Sequence, residues 1–95
     1  MNIYVIERGF VLVGEPHEVK DNWMMLSLTH CGIIRRWATT QGLGELTVNG
    51  PLKETIIDKE PSGTLISKTA IYRVLPCDKS KWSNWRKEWE KWTRS

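Results

Sequence analysis

The sequence contains few of the features that mark secreted, disulfide-bonded or membrane proteins. Its 95 residues include only two cysteines, Cys31 and Cys77, which lie far apart, so we expect both to be reduced and structural. No run approaches the roughly 18 apolar residues of a membrane span. The N-terminal stretch is interrupted by Glu7 and Arg8 and has no basic leader or cleavage site. We therefore predict a soluble, cytoplasmic protein without a membrane partner.

Patterns typical of catalysis and metal binding are also missing. There is no Walker or dinucleotide fingerprint. The two histidines, His17 and His30, form neither a Ser/His/Asp series nor a short ligand pair with the cysteines. His30 adjoins Cys31, but adjacent strand residues point to opposite faces of a sheet. We therefore predict no enzyme activity, no metal site and no cofactor.

The remaining sequence predicts one small, mainly β domain, because 95 residues cannot build two separate cores. Short β-branched or aromatic runs alternate with turn formers, which is typical of a small antiparallel barrel or sandwich. A hairpin is expected at Gly9, a loop over 15–22 and a helical turn within 43–48. The β domain should cover 1–78, with strands at 3–6, 10–13, 23–29, 33–37, 54–58 and 64–75.

Residues 79–95 predict an amphipathic C-terminal helix. Six basic and two acidic residues give this tail a net charge of +4, whereas 1–78 carries eight basic and nine acidic residues, a net charge of −1. Four tryptophans recur at helical spacing along one face: Trp82, Trp85, Trp89 and Trp92. Buried tryptophan removes a large apolar area from water. We expect this Trp stripe to dock on the β domain, on another subunit as an assembly element, or on a partner, and we do not expect long nucleic acid to bind there.

The strand end and glycine-rich loop over 33–51 combine residue types that bind nucleotides. Arg35 and Arg36 offer guanidinium groups for phosphate, and Trp37 offers a ring for base stacking. The two arginines face opposite ways in a regular strand, so one of them can serve a neighbouring subunit. Glycines in the loop 38–51 allow backbone N–H groups to approach an anion. The candidate residues of the loop are Thr39, Thr40, Gln41, Gly42, Gly44 and Glu45.

This stretch resembles a family of uncharacterised small phage and prophage proteins, and the resemblance covers most of 1–82. The shared pattern is Arg-Arg-Trp, Thr-Thr, Gly-Leu-Gly-Glu-Leu and Asn-Gly-Pro. The matching residues are Arg35, Arg36, Trp37, Thr39, Thr40, Gly42, Leu43, Gly44, Glu45, Leu46, Asn49, Gly50 and Pro51. Ala38 departs from the pattern, where glycine is expected. The hairpins and the segment LISKTAIYRVL are also similar to SH3-like and Sm-like barrels, many of which form rings.

The phage resemblance implies an anti-defence role, because small phage proteins without catalytic residues often block host immunity. We predict a homo-oligomer that sequesters a nucleotide second messenger, either a cyclic oligonucleotide or an ADP-ribose derivative, without cleaving it. Two other functions stay open: a protein-interaction inhibitor of a host defence complex, such as an anti-CRISPR protein, and an Sm-like binder of single-stranded RNA. A further alternative is a loop without a ligand, its arginines solvated or paired with Glu45 and Glu54.

Overall fold

The computed structural model describes residues 1–94, in which six strands form one antiparallel sheet. The strands are β1 (Asn2–Ile6), β2 (Val11–Val19), β3 (Asn22–Arg36), β4 (Ile56–Lys59), β5 (Thr64–Ser67) and β6 (Ile71–Pro76). Two helices follow β3 and β6 and are named α1 (Gly44–Asn49) and α2 (Ser83–Arg94). The mainly β fold with a C-terminal helix is therefore confirmed. Neither helix is long and apolar enough to cross a bilayer.

The strand order is β4-β3-β2-β1-β6, and β5 pairs with the first half of β3. Within 1–94, β6 pairs only with β1, and β4 and β5 pair only with β3, so the sheet is open. Closure into an SH3-like or Sm-like barrel stays a prediction. The single strand predicted over 64–75 is wrong, because a 3-10 turn at Lys68–Ala70 separates β5 from β6. This turn carries the chain from one edge of the sheet to the other.

Strands β2 and β3 are longer than the sequence predicts. The loop expected over 15–22 is wrong, because β2 continues to Val19 and Asp21 makes the turn with a φ of 63°. Pro16 is tolerated since β1 pairs only with Val11–Gly14, which leaves the rest of β2 at a sheet edge. The strands expected at 23–29 and 33–37 are one continuous β3, irregular at His30, where φ is 50°.

Helix α2 packs the Trp stripe against one face of the sheet. Trp82, Trp85 and Trp89 are buried in one cluster with apolar residues of the sheet and α1. The three indole N–H groups donate to backbone carbonyls at 2.8–3.0 Å, those of Leu46 (from Trp82), His30 (from Trp85) and Glu60 (from Trp89). Packing within the chain therefore accounts for these three side chains. Trp92, at the end of the stripe, is 42% exposed.

Gly32 allows α2 to lie close to the sheet. A Cβ atom at this position would lie 2.7 Å from both the Asp58 carbonyl oxygen and the Ile57 side chain, and 3.0 Å from the Trp85 ring. Ordinary van der Waals contacts between carbon atoms are near 3.5–4.0 Å. The absence of a side chain at Gly32 is therefore a condition for packing Trp85 against β3 and β4.

A second, smaller core lies on the opposite face of the sheet. It contains Tyr4, Leu12, Leu28, Cys31 and Ile66. Burial raises the pKa of the Cys31 thiol, and it raises the pKa of Cys77 to about 11. Both cysteines are free and stay protonated at neutral pH, which fits the structural role expected for them.

Candidate functional site

The glycine-rich loop after β3 is held in place by hydrogen bonds. The Trp37 carbonyl accepts a hydrogen bond from Thr55 Oγ1 at 2.8 Å, and Thr39 Oγ1 donates to the Gly42 carbonyl at 2.7 Å. Ala38 has a φ of 60°, a conformation that costs roughly 1–2 kcal/mol for a residue other than glycine. This φ gives a structural reason for the glycine expected at position 38.

The short helix α1 anchors the far end of the loop, and it confirms the helical turn predicted within 43–48. Leu43 and Leu46 are buried in the cluster that also contains the Trp stripe. Thr47 Oγ1 donates to the Gly44 carbonyl at 2.7 Å. The loop is therefore attached to the main core at one end and to β3 at the other.

A cleft of about 650 Å³ lies between this loop and the β1–β2 turn, and we refer to it as the loop cleft. Ligand pockets in proteins typically measure about 300–1,000 Å³. Trp37 lines the cleft and is 40% exposed, so part of its ring is open to a stacking partner. The lining residues are Val5, Gly9, Val11, Trp37, Gln41, Gly42, Leu43, Gly44 and Arg73.

The structure brings only some of the predicted site residues to this cleft, namely Trp37, Gln41, Gly42 and Gly44. The Thr39 and Thr40 hydroxyls are used within the loop, and Thr40 Oγ1 donates to Glu45 Oε1 at 3.3 Å. Glu45 lines a second depression of about 410 Å³, which shares Gln41 and Gly44 with the loop cleft. Of these two cavities, only the loop cleft is lined by Trp37.

Neither predicted arginine lines the loop cleft. Arg35 pairs with Asp58 across the β3–β4 ladder, rather than with the Glu45 or Glu54 that the alternative interpretation names. Arg36 is exposed at the end of β3 and forms no ion pair with any residue in 1–94. The Asp58 carboxylate thus neutralises one of the two charges expected to hold a phosphate.

Arg73 is the cation that sequence reasoning missed. It lies on β6 opposite Val5 of β1 and lines the loop cleft. The signal was a single arginine inside the apolar run from Ile71 to Leu75. The prediction of a single strand over 64–75 did not set Arg73 apart from its neighbours. The 3-10 turn makes β6 a separate strand that begins at Ile71.

The chain matches no protein-family model, no curated protein and no solved structure. Membership of the phage family therefore stays a prediction. A function for the loop cleft has to rest on its own residues, contacts and charges.

Away from the loop cleft, a cluster of polar side chains joins β2, β3 and α2. His30 Nε2 donates to Glu90 Oε1 at 2.9 Å, and His30 Nδ1 lies 3.5 Å from Glu15 Oε2. Arg86 pairs with Glu15, and the His30 ring centroid is 4.7 Å from that of Trp89. The cluster ties α2 to the sheet. Within 1–94 no group of three or more metal-ligating side chains could hold a metal ion.

We expect Glu90→Gln to flatten the acid part of the stability profile. The hydrogen bond from His30 lowers the pKa of Glu90 in the folded state. Its carboxylate therefore stabilises the fold above the unfolded pKa, and this contribution is lost as pH falls through the folded pKa. Urea unfolding from about pH 7 to pH 3 should show a difference between variant and wild type that shrinks on acidification.

Glu88→Gln is the control for this prediction. Glu88 lies on the same helix, but within 1–94 it pairs only with Lys91, in an exposed ion pair, so its substitution should leave the acid slope close to that of the wild type. If the free energy of unfolding of Glu90→Gln fell with acidification as steeply as that of the wild type, Glu90 would not be a source of the pH dependence.

Proposed function

We propose that the loop cleft binds a nucleotide second messenger and that the protein sequesters this ligand without cleaving it. The observation that carries the proposal is Trp37, a partly exposed aromatic ring that lines a cleft of about 650 Å³ beside two glycines. Stacking of a base on an aromatic side chain contributes about 1–3 kcal/mol. A Cβ atom placed on Gly42 or Gly44 would meet nothing within 4 Å, so the space beside the loop backbone is open.

The chemistry of the lining supports binding rather than hydrolysis. Among the described residues that line the cleft, none carries a carboxylate, an imidazole or a thiol. General acid–base catalysis needs such a group within hydrogen-bond reach of the reacting atoms. The lining offers instead a stacking surface, amide groups and one guanidinium, which are suited to holding a ligand.

The phage resemblance gives the binding activity its proposed setting. The protein is an anti-defence factor in the host cytoplasm that lowers the free concentration of an immune signal. It acts as a homo-oligomer of SH3-like or Sm-like barrels, in which Arg36 serves a neighbouring subunit. The exposed position of Arg36 and its lack of an ion pair within 1–94 support this arrangement.

A protein-interaction role is the second candidate function, and it has an observation of its own. Three tryptophans of the tail are buried in the chain's own core, so a partner surface has to be sought elsewhere. Trp23 on β3 is 76% exposed, and Leu65 on β5 is 54% exposed. Leu65 lies opposite Ser27 of β3, four residues along the chain from Trp23. This exposed pair is an alternative surface for a host defence protein.

Calorimetric titration with cyclic dinucleotides, cyclic trinucleotides and ADP-ribose tests the proposed function. Trp37→Leu removes the stacking ring and should weaken binding about tenfold or more. Gly44→Leu adds a side chain to the open space beside α1 and should block the cleft while the protein stays folded. Trp23→Leu is the matched control, because it removes an exposed tryptophan outside the cleft and should leave the affinity unchanged.

Four outcomes would contradict parts of this proposal. Absence of binding to every compound would overturn nucleotide sequestration. Recovery of a cleaved ligand from the denatured complex would overturn binding without hydrolysis. Tight binding of single-stranded RNA with a steep salt dependence, lost in Trp37→Leu, would favour the RNA-binding alternative. Capture of a host protein that is lost in Trp23→Leu but kept in Trp37→Leu would favour the second candidate.

A further inference from the structure

One cation supplies the charge of the loop cleft. Arg73 is the only charged residue among the described residues that line it, and no carboxylate within 1–94 pairs with its guanidinium. Arg73 is solvent-exposed and is held on β6 by the pairing with β1. Arg35, by contrast, is neutralised by Asp58. The cleft therefore presents one unpaired positive charge to a ligand.

We infer that Arg73 is the phosphate-binding residue of the loop cleft, and that it selects ligands in which one phosphodiester lies beside a base. The inference rests on the proposed function. A guanidinium donates two parallel hydrogen bonds to a pair of oxygens, which matches the two non-bridging oxygens of a diester. A diester also carries a single negative charge, and one guanidinium balances it. Trp37, after β3, thus contacts the base of the ligand, and Arg73, on β6, contacts its phosphate.

The same charge count disfavours polyphosphates. A triphosphate brings several negative charges to a lining that holds one cation and is otherwise apolar or neutral. Charges that leave water without a partner raise the free energy of the complex. We expect the loop cleft to prefer cyclic nucleotides to ATP by at least about tenfold, a difference set by the unpaired charges.

Cyclic AMP, cyclic di-AMP, adenosine and ATP are the probes for this inference. With wild-type protein the tighter of the two cyclic nucleotides should bind better than both adenosine and ATP. Arg73→Gln should weaken its binding about tenfold to a hundredfold, because hydrogen bonds to a charged group are among the strongest. The same substitution should leave adenosine binding unchanged. Arg73→Lys, which keeps the charge but loses the fork, should give an intermediate loss.

Lys20→Gln is the control, since Lys20 is also an exposed cation without an ion pair within 1–94, and it lies in the turn between β2 and β3, outside the cleft lining. Its variant should keep wild-type affinity for every probe. Equal losses with Lys20→Gln and Arg73→Gln, or no loss with Arg73→Gln, would overturn the assignment of Arg73. A preference for ATP would overturn the expected ligand class.

The failure of this inference is distinguishable from failure of the proposed function. Binding that depends on Trp37 but not on Arg73 overturns only the role of Arg73. Absence of binding by all four probes and by the larger cyclic nucleotides overturns both. Thermal unfolding of Arg73→Gln should match that of the wild type within a few degrees, because the side chain is exposed and forms no ion pair within 1–94.

Discussion

Replacing Trp82 by alanine is expected to lower the free energy of unfolding by about 3–5 kcal/mol. The Trp82 side chain is fully buried between α1 and the sheet. The variant loses the packing of the indole ring and leaves a cavity. It also loses one of the two hydrogen bonds accepted by the Leu46 carbonyl, which takes the Trp82 indole N–H at 3.0 Å and the Gly50 N–H at 2.8 Å.

Urea unfolding followed by circular dichroism measures this loss. Trp23→Ala is the control, because Trp23 is 76% exposed and its substitution should change stability by no more than about 0.5 kcal/mol. Trp82→Phe keeps most of the ring and should cost about 1–2 kcal/mol, so it stays measurable if the alanine variant does not fold. Equal stabilities of Trp82→Ala and Trp23→Ala would contradict the docking of α2.

Gly50→Ala is expected to cost about 3 kcal/mol or more, from two separate causes. Gly50 ends α1 with a φ of 77°, which disfavours any residue with a Cβ atom. A Cβ atom there would also lie well inside van der Waals contact of the Lys81 carbonyl oxygen and 3.0 Å from the Lys81 carbonyl carbon. The substitution would push α1 away from the segment that leads into α2. The expected fall in Tm is roughly 12–24 °C.

Gly63→Ala separates the two causes. Gly63 has a similar φ of 86°, but a Cβ atom there would meet nothing within 4 Å. Its substitution should cost only the roughly 1–2 kcal/mol of the left-handed conformation. The difference between the two variants, measured by thermal unfolding, combines the cost of the contact with Lys81 and the backbone cost of the ψ of −179° at Gly50. Equal losses of stability would show that α1 and the start of the tail are not in contact.

The C-terminal helix was predictable because the residues that form its apolar face lie close together in the sequence, three or four positions apart. The spacing of the Trp stripe fixed one apolar face, but it did not say which surface that face would meet. The helix also begins later than the predicted position 79, at Ser83. Asp78 Oδ1 accepts hydrogen bonds from the Ser80 N–H at 3.0 Å and the Ser80 hydroxyl at 2.7 Å, which stabilises a turn before α2.

The candidate site was predictable only where its residues are contiguous. Trp37, Gln41, Gly42 and Gly44 lie within one short stretch, so composition was enough to select them. Arg73 reaches the cleft through the pairing of β1 with β6, and composition does not report which strands pair.

The partner of Arg35 is a second case of non-local information. The β3–β4 register places Asp58 opposite Ile33, and this brings its carboxylate to Arg35. Glu45 and Glu54 were reasonable partners by distance along the chain. Because the β3–β4 register pairs Arg35 with Asp58, Arg35 does not pair with Glu45 or Glu54. For the same reason, Arg35 is not an unpaired cation that could bind a ligand.

The packing of α2 on the sheet sets the order in which the chain can complete its fold. Ile3 and Val13 are fully buried, and they share a cluster with Trp85 and Trp89. Synthesis proceeds from the N-terminus, so the surface around Ile3 is made long before the helix that covers it. Contacts of such large sequence separation also slow folding. A nascent chain that stops before α2 therefore exposes an apolar face that favours aggregation, and this face is covered when Trp85 and Trp89 pack against it.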